Sequence, residues 1–174
     1  GNVDAFADES SDWQLRLIAG VDGPLIARAR ALGVDARLLP FPRSVARIGD
    51  ASLGRLIGKK RRILSAAKWL PAACAALFYR GRLRKEIEAF RPDLIHTNGF
   101  KMHAFGIFAR RGGCPPVIWH VRDYIGLRPI MARVLRLLAP RCAGAIANSE
   151  STARDLLENC GDGLRAEVIY HTVD

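Results

Sequence analysis

The sequence predicts an α/β fold, a Rossmann-like, doubly wound parallel sheet. Short apolar or alternating runs recur between longer helical stretches, and Gly, Pro and Asn separate them. A hydrophobic fraction of 49% over 174 residues is enough for one core of ordinary size. Strands that alternate with helices at this spacing form βαβ units, whose crossovers cover both faces of a parallel sheet. Residues 1–174 are expected to form a single domain, with the polar stretch 1–12 disordered or poorly packed.

WQLRLIAG, from Trp13 to Gly20, alternates and closes on glycine as a strand does. GPLIARARALG follows with Pro24 at a helix start and Gly33 past its end, an asymmetry that suits the two residues' backbone limits. VDARLLPFP is a second strand, ended by prolines, and a loop comes after it. Leu53, Leu56, Ile57, Ile63, Leu64, Ala67 and Leu70 then fall on one face at 100° per residue, which predicts an amphipathic helix. Pro71 is expected to kink or end it, with a second helix running to about Phe90.

RPDLIHTNG reads as turn, strand and loop, and a helix spans Met102 to Arg111 before Gly112 and Gly113. PPVIWHVRD is the next strand, followed by the helix RPIMARVLRLLAP, closed at Pro140. CAGAIANS is a small-residue strand, and SESTARDLLENCG a helix with Ser149 or Ser151 as cap. AEVIYHTVD is the last strand.

Ligands of such sheets sit beyond the carboxyl ends of the strands. That rule selects HTNGFK, HVRD and NSES, which all open on polar side chains. No GxGxxG or Walker-type loop is present, and the four cysteines and four histidines have no zinc spacing, so neither cofactor nor metal is expected. The longest central apolar run, Trp69 to Tyr79, has 11 residues and contains Pro71, short of the roughly 20 that cross a bilayer. The first ten residues lack the basic flank and apolar segment of a signal peptide, which points to the cytoplasm.

The net charge of +10 is local. Arg55, Lys59, Lys60, Arg61, Arg62, Lys68, Arg80, Arg82, Arg84 and Lys85 occur without one acid among them, and basic and acidic residues balance elsewhere. Anionic lipid is the preferred partner, with Leu56, Ile57, Ile63 and Trp69 at the interface; a plain solvated face is the alternative. Nucleic acid is the weaker third reading, since no aromatic platform accompanies the charge.

The segments RPDLIHTNGFKMHAFGIFARRGGCPPVIWHVRD, AIANSESTARDLL and VIYHTVD, in this order, resemble the N-terminal, acceptor-side half of a GT-B glycosyltransferase of family 4. GPLIARARALGVDARLLPFP fits the same domain more loosely. The resemblance implies a retaining enzyme that moves a sugar from a nucleotide-sugar to a lipid-linked or cell-envelope saccharide. The lipid reading of the basic segment adds a peripheral position on the inner face of the plasma membrane. The family's first βα unit and its donor-binding half have no counterpart in these residues, so the fragment alone is expected to be inactive. The family's Asn-Gly-Val-Asp is here His171, Thr172, Val173 and Asp174. A non-catalytic, membrane-associated α/β module is the alternative.

On this reading His120 is the catalytic candidate, hydrogen-bonding the transferred sugar. His96, Thr97, Asn98, Lys101, Arg122 and Asp123 are candidates for binding substrate, with Arg122 and Asp123 equally well read as a loop-fixing ion pair. His103 is read as a helix-face residue, and Ser149 with Glu150 as a helix start.

Overall fold

The computed structural model describes residues 13–46, 62–112 and 115–170, with side chains from residue 70 onward in the segment that begins at 62. The expected lead 1–12, the basic residues Arg55, Lys59, Lys60 and Arg61, and the final four residues lie outside the described set. So do the side chains of Arg62 and Lys68 and those of the interfacial candidates Leu56, Ile57, Ile63 and Trp69. Contacts group the chain into two compact units, Gly1–Arg47 and Ile48–Asp174.

In the first unit β1 (Arg16–Ala19), α1 (Pro24–Ala31) and β2 (Asp35–Leu38) make one βαβ turn, and β1 pairs in parallel with β2. Pro24 occupies the first turn of α1, where its missing N–H has no carbonyl to find. Gly33 carries a φ of 79°, which lets the chain reverse into β2. Ile26, Ala29 and Ala36 form a small apolar centre against Leu17, Ala19 and Val34. The carboxyl of Asp35 is held below its usual range, first by its hydrogen bonds to Arg37 and then by Arg16. A one-turn α2 (Arg43–Ala46) stands where the sequence suggested a loop, closed by a hydrogen bond from the Ala46 amide to the Pro42 carbonyl.

The second unit runs α3 (Arg62–Phe90), β3 (Ile95–Asn98), α4 (Phe100–Ala109), β4 (Val117–Val121), α5 (Pro129–Leu138), β5 (Gly144–Ala147), α6 (Glu150–Cys160) and β6 (Ala166–Val168). A 3-10 turn over Ala139–Arg141 absorbs Pro140 after α5. The sheet order is β3-β4-β5-β6 and every pair is parallel. Strand side chains alternate between faces, so one face carries Thr97, Val117, Trp119, Val121, Ala145 and Ala147, all buried. Against the apolar ones pack Phe100, Ala104 and Ile107 of α4, Leu135 and Leu138 of α5, and Leu156 of α6. Gly106 is required by that packing, because a Cβ there would stand 2.8 Å from the Thr97 methyl carbon.

The doubly wound α/β reading holds, with two differences. Among the described residues the parallel strands form two sheets, β1-β2 in the first unit and β3-β4-β5-β6 in the second. Pro71 lies inside α3 without ending it. Its ring removes one backbone hydrogen bond, and because Pro71 is exposed, water can serve the carbonyl left over.

Proline in a helix interior costs about 3 kcal/mol relative to alanine, part of which solvent access recovers. Pro71→Ala should therefore raise stability by about 1–2 kcal/mol in urea unfolding. A neutral or destabilising result would mean that the helix breaks at this residue.

Candidate functional site

The carboxyl ends of β3, β4 and β5 bring three polar loops to one edge of the four-stranded sheet. Register settles which side chains share a face. His96 lies opposite Ile118 and Asn98 opposite His120, so His96, Asn98 and His120 share the less buried face. The rings of His96 and His120 stack with centroids 5.3 Å apart and planes inclined by 19°. Burial lowers the pKa of His96, which favours a neutral ring beside its partner.

Thr97 has the opposite parity. It is 3% exposed, its hydroxyl donates to the Ile118 carbonyl at 3.1 Å, and its oxygen lies 2.7 Å from His103 Nδ1. The structure therefore separates it from the other strand-end candidates and makes it a brace between β3, β4 and α4. Lys101 is half-buried in the first turn of α4, a helix that starts at Gly99 without a side-chain cap or an acidic residue. Arg122 and Asp123 are exposed, and among the described residues they form no ion pair with each other or with anything else. Ser149 caps α6 by accepting the Thr152 amide at 3.2 Å, as its residue type suggests.

Residues 25–174 match the sequence model of glycosyltransferase family 4. The chain belongs to glycosyltransferase family 4. Its fold is that of one half of a GT-B enzyme. Three crystal structures of Anabaena Alr3699/HepE share it, with UDP, with UDP and glucose, and with UDP-glucose. Their TM-scores are 0.63, 0.60 and 0.62 at sequence identities of 15%, 18% and 16%. Each match covers 91% of this chain but 36% or 37% of the solved one, so the chain spans little more than a third of those structures. No curated protein matches.

Three features of this family 4 domain escaped the sequence reading. Arg128, at the start of α5, places its guanidinium 5.0 Å from the centre of the Phe100 ring, linking the entrances of two helices. Asn148, just past β5, keeps its buried Oδ1 without a hydrogen-bond partner among the described residues. Asp155 on α6 accepts the main-chain amides of Ile125 and Gly126 in the loop after β4. Asn148 could have been found as a polar residue flanking a strand end, whereas Asp155 gave no signal because its partners are backbone groups.

The basic segment also divides. Arg80 and Arg84 donate from Nε to the carbonyls of Phe108 and Ala109, at 2.7 and 2.9 Å, closing the C-terminus of α4. Arg82 and Lys85 are exposed on the same helix. Among the described residues no group of His, Cys, Asp and Glu could hold a metal, and no helix is long and apolar enough to cross a membrane.

His103 is fully buried, facing Trp119 at a ring separation of 5.6 Å. Because the Thr97 hydrogen already points to Ile118, His103 must donate from Nδ1, which leaves Nε2 unprotonated and without a partner among the described residues. Burial, and secondarily the charges of His120 and His96, push its pKa down from 6.5 to about 3. Between these values the unfolded chain takes up a proton that the folded protein refuses. Stability contributed by neutral His103 is thus complete above about pH 6.5 and is lost as pH falls toward 3. Urea unfolding between pH 7 and 4 should show up to about 1.4 kcal/mol per pH unit from this group, and His103→Gln should remove that part of the slope. An unchanged slope in the variant would place the titration elsewhere.

Proposed function

We propose that this domain is the acceptor-binding half of a retaining glycosyltransferase that uses a nucleotide-sugar and modifies a lipid-linked or cell-envelope saccharide. The observation that carries the reading is the common placement of His96, Asn98 and His120 at the strand ends of a family 4 domain. HepE binds UDP and UDP-glucose in its crystal structures, which supports a nucleotide-sugar as donor. In a two-domain enzyme of this kind the donor is held by the other half, and residues 1–174 alone are expected to be inactive.

Transfer of this sort develops oxocarbenium character at the sugar while the nucleotide diphosphate leaves, so orientation and charge stabilisation are the main tasks. His120 would accept or donate one hydrogen bond at the transferred sugar, with its ring oriented by the stack on His96. Asn98 offers both donor and acceptor to acceptor hydroxyls. Lys101, Arg122 and Asp123 supply charge at the rim, and Thr97 acts from behind the sheet by fixing β3 against β4. In the full-length protein, assayed against a panel of nucleotide-sugars, His120→Ala should lower kcat by about 100-fold or more. Wild-type turnover in that variant would remove His120 from catalysis.

A peripheral membrane position is the second part of the proposal, and α3 supports it. Leu70, Leu77 and Phe78 fall on one face and are 62–69% exposed, opposite the buried Ala72, Tyr79 and Leu83. Lys85 continues the exposed face and Arg82 flanks it, while Arg80 and Arg84 are engaged at α4. An apolar strip bordered by cations suits the interface of an anionic bilayer on the cytoplasmic side. A non-catalytic lipid-binding module would use the same strip, and the transfer assay separates that alternative. Sedimentation with anionic vesicles should exceed that with neutral vesicles at least fivefold, and the pair Leu77→Ser and Phe78→Ser should abolish the difference. Equal sedimentation with both vesicle types would reject the lipid role.

A further inference from the structure

The loop between β4 and α5, residues Arg122 to Arg128, carries two rim candidates and Arg128, whose guanidinium lies over the Phe100 ring; Arg122 and Asp123 form no ion pair among the described residues, so no pairing between them holds the loop. It is fixed from α6. Ser151, Asp155 and Asn159 recur every four residues on that helix and form one polar stripe. Asp155 Oδ2 accepts the Ile125 amide at 2.5 Å, and the Gly126 amide reaches both carboxylate oxygens at 3.2 Å. Asn159 Nδ2 donates to the Asp155 main-chain carbonyl at 2.7 Å and to its Oδ1 at 3.3 Å, orienting the carboxylate. The Tyr124 hydroxyl donates to Ser151 Oγ at 3.1 Å, and Ser151 in turn meets Ser149 Oγ at 3.0 Å.

Two further constraints close the arrangement. Ile125 is fully buried in the core beneath the loop, and the Arg128 amide returns to the Ile125 carbonyl at 2.8 Å. A Cβ on Gly126 would lie 2.7 Å from Asp155 Oδ1 and 3.2 Å from Asn159 Nδ2, so the clasp closes only over glycine. The backbone from 124 to 128 is thereby anchored while Arg122, Asp123, the half-exposed Tyr124 ring and Leu127 remain open to solvent.

We infer that Asp155, oriented by Asn159 and assisted by Ser151, is a positioning residue that sets the β4–α5 loop as a preformed wall for the saccharide acceptor. The inference rests on the acceptor-side reading of this domain. Asp155 touches no substrate. It acts through the two amides, which fix the backbone leading from His120 through Arg122 and Asp123 to Arg128. Binding energy that would otherwise go into ordering this loop is then available to hold the acceptor. The donor, held elsewhere, should be indifferent to the clasp.

The test uses the full-length protein with Asp155→Ala, Asp155→Asn and Gly126→Ala, read by amide hydrogen exchange and by transfer kinetics. Exchange at Ile125 and Gly126 should accelerate at least tenfold in Asp155→Ala, while the amides of Trp119 and Ala145 stay within twofold of wild type. Asp155→Asn keeps one acceptor oxygen and should fall between the two. In transfer, the acceptor KM should rise at least fivefold in Asp155→Ala and Gly126→Ala, with the donor KM within twofold and the unfolding midpoint nearly unchanged. Wild-type exchange at Ile125 and Gly126 in Asp155→Ala would overturn the clasp. Equal shifts in both KM values, or losses that follow the unfolding midpoint, would overturn the positioning role and leave a purely structural one. A wild-type protein that transfers nothing would count against the glycosyltransferase reading itself, and the exchange measurements would still decide whether Asp155 fixes the loop.

Discussion

Side-chain parity along β3 and β4 is the constraint on which the rest of the site depends. Asn98 lies opposite His120, and a slip of both strands by one residue would exchange every inward and outward side chain. Thr97, Trp119 and Val121 would leave the core, and His96, Asn98 and His120 would enter it. Burial of Trp119 and Val121 resists that slip, because each is almost wholly withdrawn from water. The Thr97 hydroxyl adds direction to this apolar preference by reaching across to the Ile118 carbonyl and back to α4. Apolar burial chooses the face, and one polar brace fixes how α4 sits on it.

Much of this architecture was legible in the sequence because its signals are local. Gly33 and the Pro24 start bounded α1, short apolar runs between turn residues placed β3 and β4, and Ser149 or Ser151 marked the start of α6. The strand-end loops followed from topology alone. What the sequence did not disclose depended on tertiary partners. Pro71 reads as a helix breaker in isolation, yet exposure on α3 lowers the cost of its missing hydrogen bond. The residues after Pro42 carry no strong helical period, and a single turn of helix leaves too few positions to show one.

The same distinction divides the candidate site. His96, His120 and Asn98 could be nominated from position at strand ends, but the parity that removes Thr97 from their company requires the register. The basic run looked uniform as a string of letters. In three dimensions Arg80 and Arg84 complete the end of α4, while Arg82 and Lys85 face solvent, because side chains two residues apart on a helix point in widely different directions. Asp155 was invisible for a further reason: its partners are main-chain amides, which every residue type except proline supplies alike.

Helix α4 is held at both of its ends. Phe100 and His103 tie its first turn to Arg128 and Thr97, and the two arginines of α3 hold its last carbonyls. At ten residues it is about 15 Å long. A helix this short, held by contacts at its first turn and its last carbonyls, spans the distance between α3 and the loop after β3 as a single strut, with Gly99 at the end that follows Asn98.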